Sequence, residues 1–199
     1  MYINDDIVTL DAEAVRTSVG LVERATVADL GLPTPCQGWT LGDLLAHMTA
    51  QHYGFAAASA GDGDLARWRV RTLGDDAVSA YLAASDHVLA AFAAVGVLDR
   101  KFPLPEFPGS PTFPARQAIS FHFVDYVVHS WDVAKTLGLP VSFEPALLDV
   151  ALTTARAVPD DEARRRPGAA FAPKVGYSGG SPLDQIVAIL GRSPDWPQL

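Results

Sequence analysis

Near the middle of the chain stand three residues whose types suit metal ligation: His122, Asp125 and His129, an imidazole, a carboxylate and a second imidazole. At 100° per residue on a helix, Asp125 lies about 60° and His129 about 20° from His122, so all three share one face. His129 is about 10 Å along the axis from His122, whereas Asp125 and His129, at i, i+4 spacing, are about 6 Å apart. One ion can take Asp125 with His129, or His122 with Asp125, but hardly both histidines. A third ligand has to come from another helix, and the segment 40–60 offers His47 and His52. Its apolar stripe, Leu41, Leu44, Leu45, Met48 and Phe55, is centred near His52, with His47 roughly 120° away. Periodicity alone thus favours His52 as the inward histidine. The competing reading, that these histidines are satisfied core or boundary residues, weighs about equally on pattern alone.

Cys36 is the single cysteine. It excludes an internal disulfide and any thiolate-rich zinc or iron–sulfur site, so the ligands must be nitrogen and oxygen. Cys36 lies just ahead of the helix bearing His47 and either meets a thiol substrate or is structural. Asp132 either orients a ligand histidine from behind or is solvated. Arg192 either binds a substrate carboxylate or closes the last helix through a salt bridge. His87 is expected to be exposed, and Trp39 and Trp131 to be packing anchors.

These residues need helices to position them, and the apolar pattern supplies six. The first is expected over 11–30 with Asp11 as its cap, ending at Gly31. The connection Leu32-Pro33-Thr34-Pro35-Cys36-Gln37-Gly38-Trp39 cannot continue a helix, and Thr40 with Asp43 forms a capping box that opens a second, over 40–60. A third is expected over 75–95, and a proline-dense surface loop without regular structure over 102–114. The longest and most apolar helix, 115–137, is stopped by Gly138 with Pro140 behind it and takes the central place. A fifth spans 144–158, with Pro145 in its first turn. Ser181-Pro182 opens a short last helix that stops at Gly191, and 160–180 is loop with a short strand. Period-two alternation is nearly absent, which favours an all-α bundle over an α/β sheet.

At 199 residues, with no long linker, the chain is expected to form a single domain, 1–199, with one core. The longest apolar run, 88–98, is far shorter than the ~20 residues of a membrane span, and the N-terminus is acidic, so a cytoplasmic, non-membrane protein is expected. A net charge of -8 repels phosphate backbones and anionic lipid, which argues against nucleic acid as a partner.

The run Trp39-Thr40-Leu41-Gly42-Asp43-Leu44-Leu45-Ala46-His47, preceded by Thr34-Pro35-Cys36, and the run Asp125-Tyr126-Val127-Val128-His129-Ser130-Trp131-Asp132 resemble two paired signatures. They are those of actinobacterial metal-binding proteins of the DinB/YfiT-like superfamily, which includes the N-terminal domain of mycothiol-dependent maleylpyruvate isomerase. The tail, Phe171-Ala172-Pro173-Lys174-Val175 and Leu190-Gly191-Arg192-Ser193-Pro194, resembles a small branch of this group. The resemblance implies an all-α, DinB-like four-helix bundle with additional short C-terminal helices. It also implies one divalent ion, zinc ahead of nickel, held by His47, Asp125 and His129, with His122 in reserve. This displaces His52 as the ligand of the second helix. Asp125 stands where relatives commonly have Glu or His, and its shorter reach bears on the metal's identity and affinity. The implied function is a metal-dependent transferase or isomerase that uses a small-molecule thiol such as mycothiol, with a second copy of the chain, as a homodimer, among its candidate partners; the alternative is a non-catalytic metal or small-molecule binding module. The isomerase is expected to continue beyond the end of this chain, so its own reaction is not expected here.

Overall fold

A computed structural model describes residues 7–166 and 169–197. Four long helices form the bundle: α1 (Ile7–Val22), α2 (Leu41–Ser59), α3 (Ala77–Phe92) and α4 (Ala115–Leu137). Two short strands, β1 (Lys101–Pro103) and β2 (Thr112–Pro114), lead into α4, and α5 (Pro145–Ala157) and α6 (Pro182–Ile189) follow it. The most extensive packing joins α1 to α4 and α2 to α3, while α5 and α6 pack on each other and lean on α4. Leu44, Leu45, Met48, Tyr81, Phe92, Phe123 and Tyr126 lie almost wholly out of water at the centre. This is the expected DinB-like all-α architecture.

Local chemistry sets the helix ends. Thr40 accepts from the Asp43 N–H while the Asp43 carboxylate accepts from the Thr40 N–H at 2.9 Å, the expected capping box. Ser181 and Asp184 repeat the arrangement at α6. Gly138, at φ 65°, ends α4 in the left-handed conformation that a Cβ disfavours.

Three expectations are corrected. α1 starts at Ile7 and not at Asp11, so Asp11 is no cap but a buried residue within the helix, and α1 stops at Val22, short of 30. Past it, Thr26 and Asp29 cap a separate short turn, Val27–Asp29. The proline-dense loop contains a small antiparallel ladder, Phe102 opposite Phe113, with Pro103 and Pro114 at strand ends, where a missing N–H costs least. Finally, the described part of 160–180 holds a short 3-10 turn, Glu162–Arg165, in place of a strand.

Candidate metal centre

The loop before α2 is tied down before the helix begins. The Leu41 N–H donates to the Leu32 carbonyl and the Gly42 N–H to that of Leu30, both at 2.9 Å, and Thr34 pairs with Trp39 through its N–H and hydroxyl. That hairpin brings Trp39 over His47, ring centroids 4.9 Å apart, and sets Cys36 above α4. His47, one and a half turns into α2, meets His129 of α4 edge-on at 5.4 Å.

His47, Asp125 and His129 each offer a ligand atom, and these atoms lie within 4.8 Å of one another. His129 Nε2 and Asp125 Oδ1 are 3.4 Å apart. Two ligands on a tetrahedral ion with bonds of about 2.1 Å stand about 3.4 Å apart, so this pair already has the spacing that zinc needs. Burial and the adjacent His129 push His47 down to about 4, which leaves it neutral with a free lone pair. The donors are two imidazole nitrogens and one carboxylate oxygen, a set that suits zinc or nickel.

Behind His129 lies a buried polar cluster. Its Nδ1–H donates to Asp132 Oδ2 at 2.9 Å, and Arg192 holds the same carboxylate with Nη2 at 3.1 Å and Nε at 3.4 Å. Burial would raise the Asp132 carboxyl, but Arg192 and His129 outweigh it and hold it at about 2. An ionised Asp132 keeps the proton on Nδ1 and turns the Nε2 lone pair toward Asp125 and His47. Burial likewise depresses the His129 imidazole, yet Asp125 and Asp132 raise it to about 10, so without an ion it is a cation between two carboxylates. A divalent ion can take the place of the Nε2 proton. Cys36 Sγ lies 3.2 Å from Asp132 Oδ2 and 3.3 Å from Arg192 Nη2, and with His129 and Asp132 it makes a second group of ligand atoms within 4.8 Å of one another.

His122 and His52 are elsewhere. His122 Nδ1 faces Asp11 Oδ1 at 2.6 Å and its Nε2 faces His52 Nδ1 at 3.1 Å, while His52 Nε2 reaches Ser85 Oγ at 3.1 Å. All nitrogens of both rings are engaged, one residue from each of the four bundle helices. The wheel is right that His52 points inward, since it is fully buried, but its ring stacks on Tyr126 at 4.1 Å instead of joining Asp125. Trp131 is a buried anchor as expected, whereas Trp39 is 37% exposed, and His87 is exposed.

Sequence reasoning missed Asp11, the Cys36–Asp132–Arg192 grouping and Glu106. Gln51 Nε2 donates to Glu106 Oε2 at 2.8 Å, and burial, then the Asp125 charge, raises the Glu106 carboxyl. Glu106 sits in the proline-dense loop, with no periodicity to mark it.

Comparison with known proteins places the chain. Residues 12–134 match the family model of the mycothiol maleylpyruvate isomerase N-terminal domain. Two uncharacterised proteins of Mycobacterium tuberculosis, MT0763 of strain CDC 1551 and Rv0738 of strain H37Rv, are each 31% identical over 181 residues, spanning 87% of this chain and 90% of the relative. The crystal structure of the mycothiol-dependent maleylpyruvate isomerase superposes with a TM-score of 0.66 at 16% identity, and that of a histidine-to-alanine mutant of it with 0.67. Both matches cover 95% of this chain and 89% of the other, so the shared fold runs well past the N-terminal family region, farther than expected from sequence. By the family match, the chain belongs to the mycothiol maleylpyruvate isomerase N-terminal domain family.

Proposed function

We propose that the chain, acting as one domain in the cytoplasm, binds one divalent ion, zinc or nickel, through His47, Asp125 and His129. We further propose that it is an enzyme of transferase or isomerase type that uses a low-molecular-weight thiol, with mycothiol the thiol that its kinship suggests. The observation that carries this reading is the meeting of His47 on α2 with the Asp125–His129 pair on α4, all three ligand atoms within 4.8 Å. When bound, such an ion supplies Lewis acidity that lowers the pKa of a thiol or water in its open position and yields a nucleophile near neutral pH. The chain's own residues do the rest. Asp132 holds the Nδ1 proton of His129 and so aims its other nitrogen, Arg192 keeps Asp132 ionised, and Trp39 shields His47. Glu106, whose carboxyl is raised from its ordinary value by burial and by the Asp125 charge, is a group able to hold or pass a proton near Asp125.

Mass spectrometry on chelator-treated, refilled protein tests the site: about one ion per chain is expected, abolished by His129→Ala while the helical signal persists. Unchanged metal content in that variant would sink the ligand set. The enzyme reading is tested with cobalt-substituted protein, whose spectrum should shift when a thiol is added, as sulfur joins nitrogen and oxygen. An unaltered spectrum at millimolar thiol, with no turnover of electrophilic substrates, would leave a non-catalytic binding module as the better account.

A further inference from the structure

The bundle consists of two helix pairs joined along a seam. α1 packs chiefly on α4 and α2 on α3, and the proposed ligands straddle the seam, His47 from one pair and Asp125 with His129 from the other. Apolar burial is non-directional, whereas a hydrogen bond holds only over a few tenths of an ångström and a narrow range of angles. Polar bonds that cross the seam therefore fix the offset of one pair against the other more sharply than apolar contacts do.

Two such bonds join α2 to α4 in the core. His122 Nε2 faces His52 Nδ1 at 3.1 Å, and the Tyr126 hydroxyl donates to the Met48 carbonyl at 2.5 Å. Met48 and Tyr126 directly follow His47 and Asp125 in the chain. Burial holds the Tyr126 phenol well above its ordinary value, so it is a neutral donor, and its ring lies against both histidines, 4.1 Å from His52 and 4.3 Å from His122 between centroids. Each histidine is braced from within its own pair, His122 Nδ1 by Asp11 Oδ1 of α1 at 2.6 Å and His52 Nε2 by Ser85 Oγ of α3 at 3.1 Å. A third bond across the seam, between the Ser18 and Tyr81 hydroxyls, joins α1 to α3. All these side chains are buried, so a slipped register would strand polar groups away from water.

We infer that His52, His122 and Tyr126 are positioning residues of the metal centre: their bonds fix the offset of α2 against α4 and so bring His47 to the Asp125–His129 pair. Asp11 and Ser85, on helices that supply no ligand, act through them. The path is short, since His52 is five residues of helix, about 7.5 Å, from His47, and His122 is three, about 4.5 Å, from Asp125. The effect on metal affinity rests on the function proposed above; the register itself does not.

Zinc affinity, read by competition with a chromophoric chelator, and the absorption spectrum of the cobalt-substituted full chain test the role. Tyr126→Phe deletes one hydroxyl and is expected to weaken zinc binding about ten-fold or more and to shift the cobalt bands, as loss of groups that orient ligands does. Ser85→Ala, on a helix that holds no ligand, should weaken zinc binding several-fold. Leu147→Ala, a core truncation on α5, should lower the melting temperature and leave both readings as in the parent. Parental affinity and cobalt bands in both Tyr126→Phe and Ser85→Ala, or equal losses in Leu147→Ala, overturn the positioning role. The chelator-treated chain reads the register without an ion. Magnetisation transfer between the rings of His47 and His129, edge-on at 5.4 Å, is expected by NMR in the parent and should weaken in Tyr126→Phe; an undiminished signal there overturns the register. A parent chain that takes up no ion yet shows this loss would defeat the metal reading and leave the register standing.

Discussion

The imidazole of His129 has a carboxylate at each nitrogen, Asp132 on Nδ1 at 2.9 Å and Asp125 on Nε2 at 3.4 Å, and the two have different tasks. Asp132 is buried and matched by Arg192, so it is a fixed acceptor; Asp125, more exposed, is the carboxylate that the proposed site uses as a ligand. Asp132→Asn should therefore lower metal affinity about 10–100-fold without removing a ligand, read by competition with a chromophoric chelator. Unchanged affinity would mean that something else orients the ring. The same pair of carboxylates makes the metal-free protein sensitive to pH. The folded His129, at about 10, is raised above its ordinary 6.5, so its contribution to stability is complete below 6.5 and is lost as pH rises toward 10. His47, lowered to about 4, and His52, lowered by burial and His122, act in the opposite sense and cost stability as pH falls below 6.5. Denaturant midpoints of chelator-treated protein should fall between pH 7 and 9, by at most about 1.4 kcal/mol per pH unit for the one proton. In His129→Gln that decline should vanish; if it persists, His129 is not its source.

At the scale of elements, α2 depends on what flanks it. Gly54 leaves the notch that Trp68 fills, and an added methyl would lie 2.2 Å from the buried indole, so that something must shift. Gly54→Ala should destabilise the protein by about 1–3 kcal/mol, as overpacking does, despite the better helix propensity of alanine. A denaturant midpoint equal to that of the parent would show that the Trp68 segment can shift. Thr40→Ala, which removes the α2 cap, should cost about 1 kcal/mol by the same measurement. These two features differ in legibility. The capping box is written in adjacent residues and was expected from them, whereas Gly54 looks like an ordinary weak point in a helix until Trp68 is placed on it. Asp11 shows the same limit: as an acid ahead of an apolar stripe it reads as a cap, but α1 begins earlier and turns it onto His122.

For the whole molecule, the proposed ion would join α2 to α4, two helices with little direct packing on each other compared with α1 on α4. An ion that binds only the folded chain stabilises it by mass action, about 2.7 kcal/mol when present at 100 times its dissociation constant. Zinc should thus raise the melting temperature of chelator-treated protein in a concentration-dependent way, and His47→Ala should remove that response; a response kept in His47→Ala would place the ion elsewhere. The sequence by itself determined the helices and, α1 apart, their ends to within a few residues, because 3.6-residue periodicity, the caps at Thr40 and Ser181 and the stops at Gly138 and Gly191 are local properties. It also determined that Asp125 and His129 face one way, since i, i+4 geometry needs nothing outside the helix. Which histidine of α2 they meet was a matter for tertiary structure. The stripe centre marks His52, but a stripe records burial, and burial at the bundle's middle delivered His52 to His122 and Ser85. His47 reaches the Asp125–His129 pair because the rotation and axial offset of α2 against α4 bring it there, and those depend on packing among residues far apart in the chain. The Asp132–Arg192 pair, 60 residues apart, was decided in the same way.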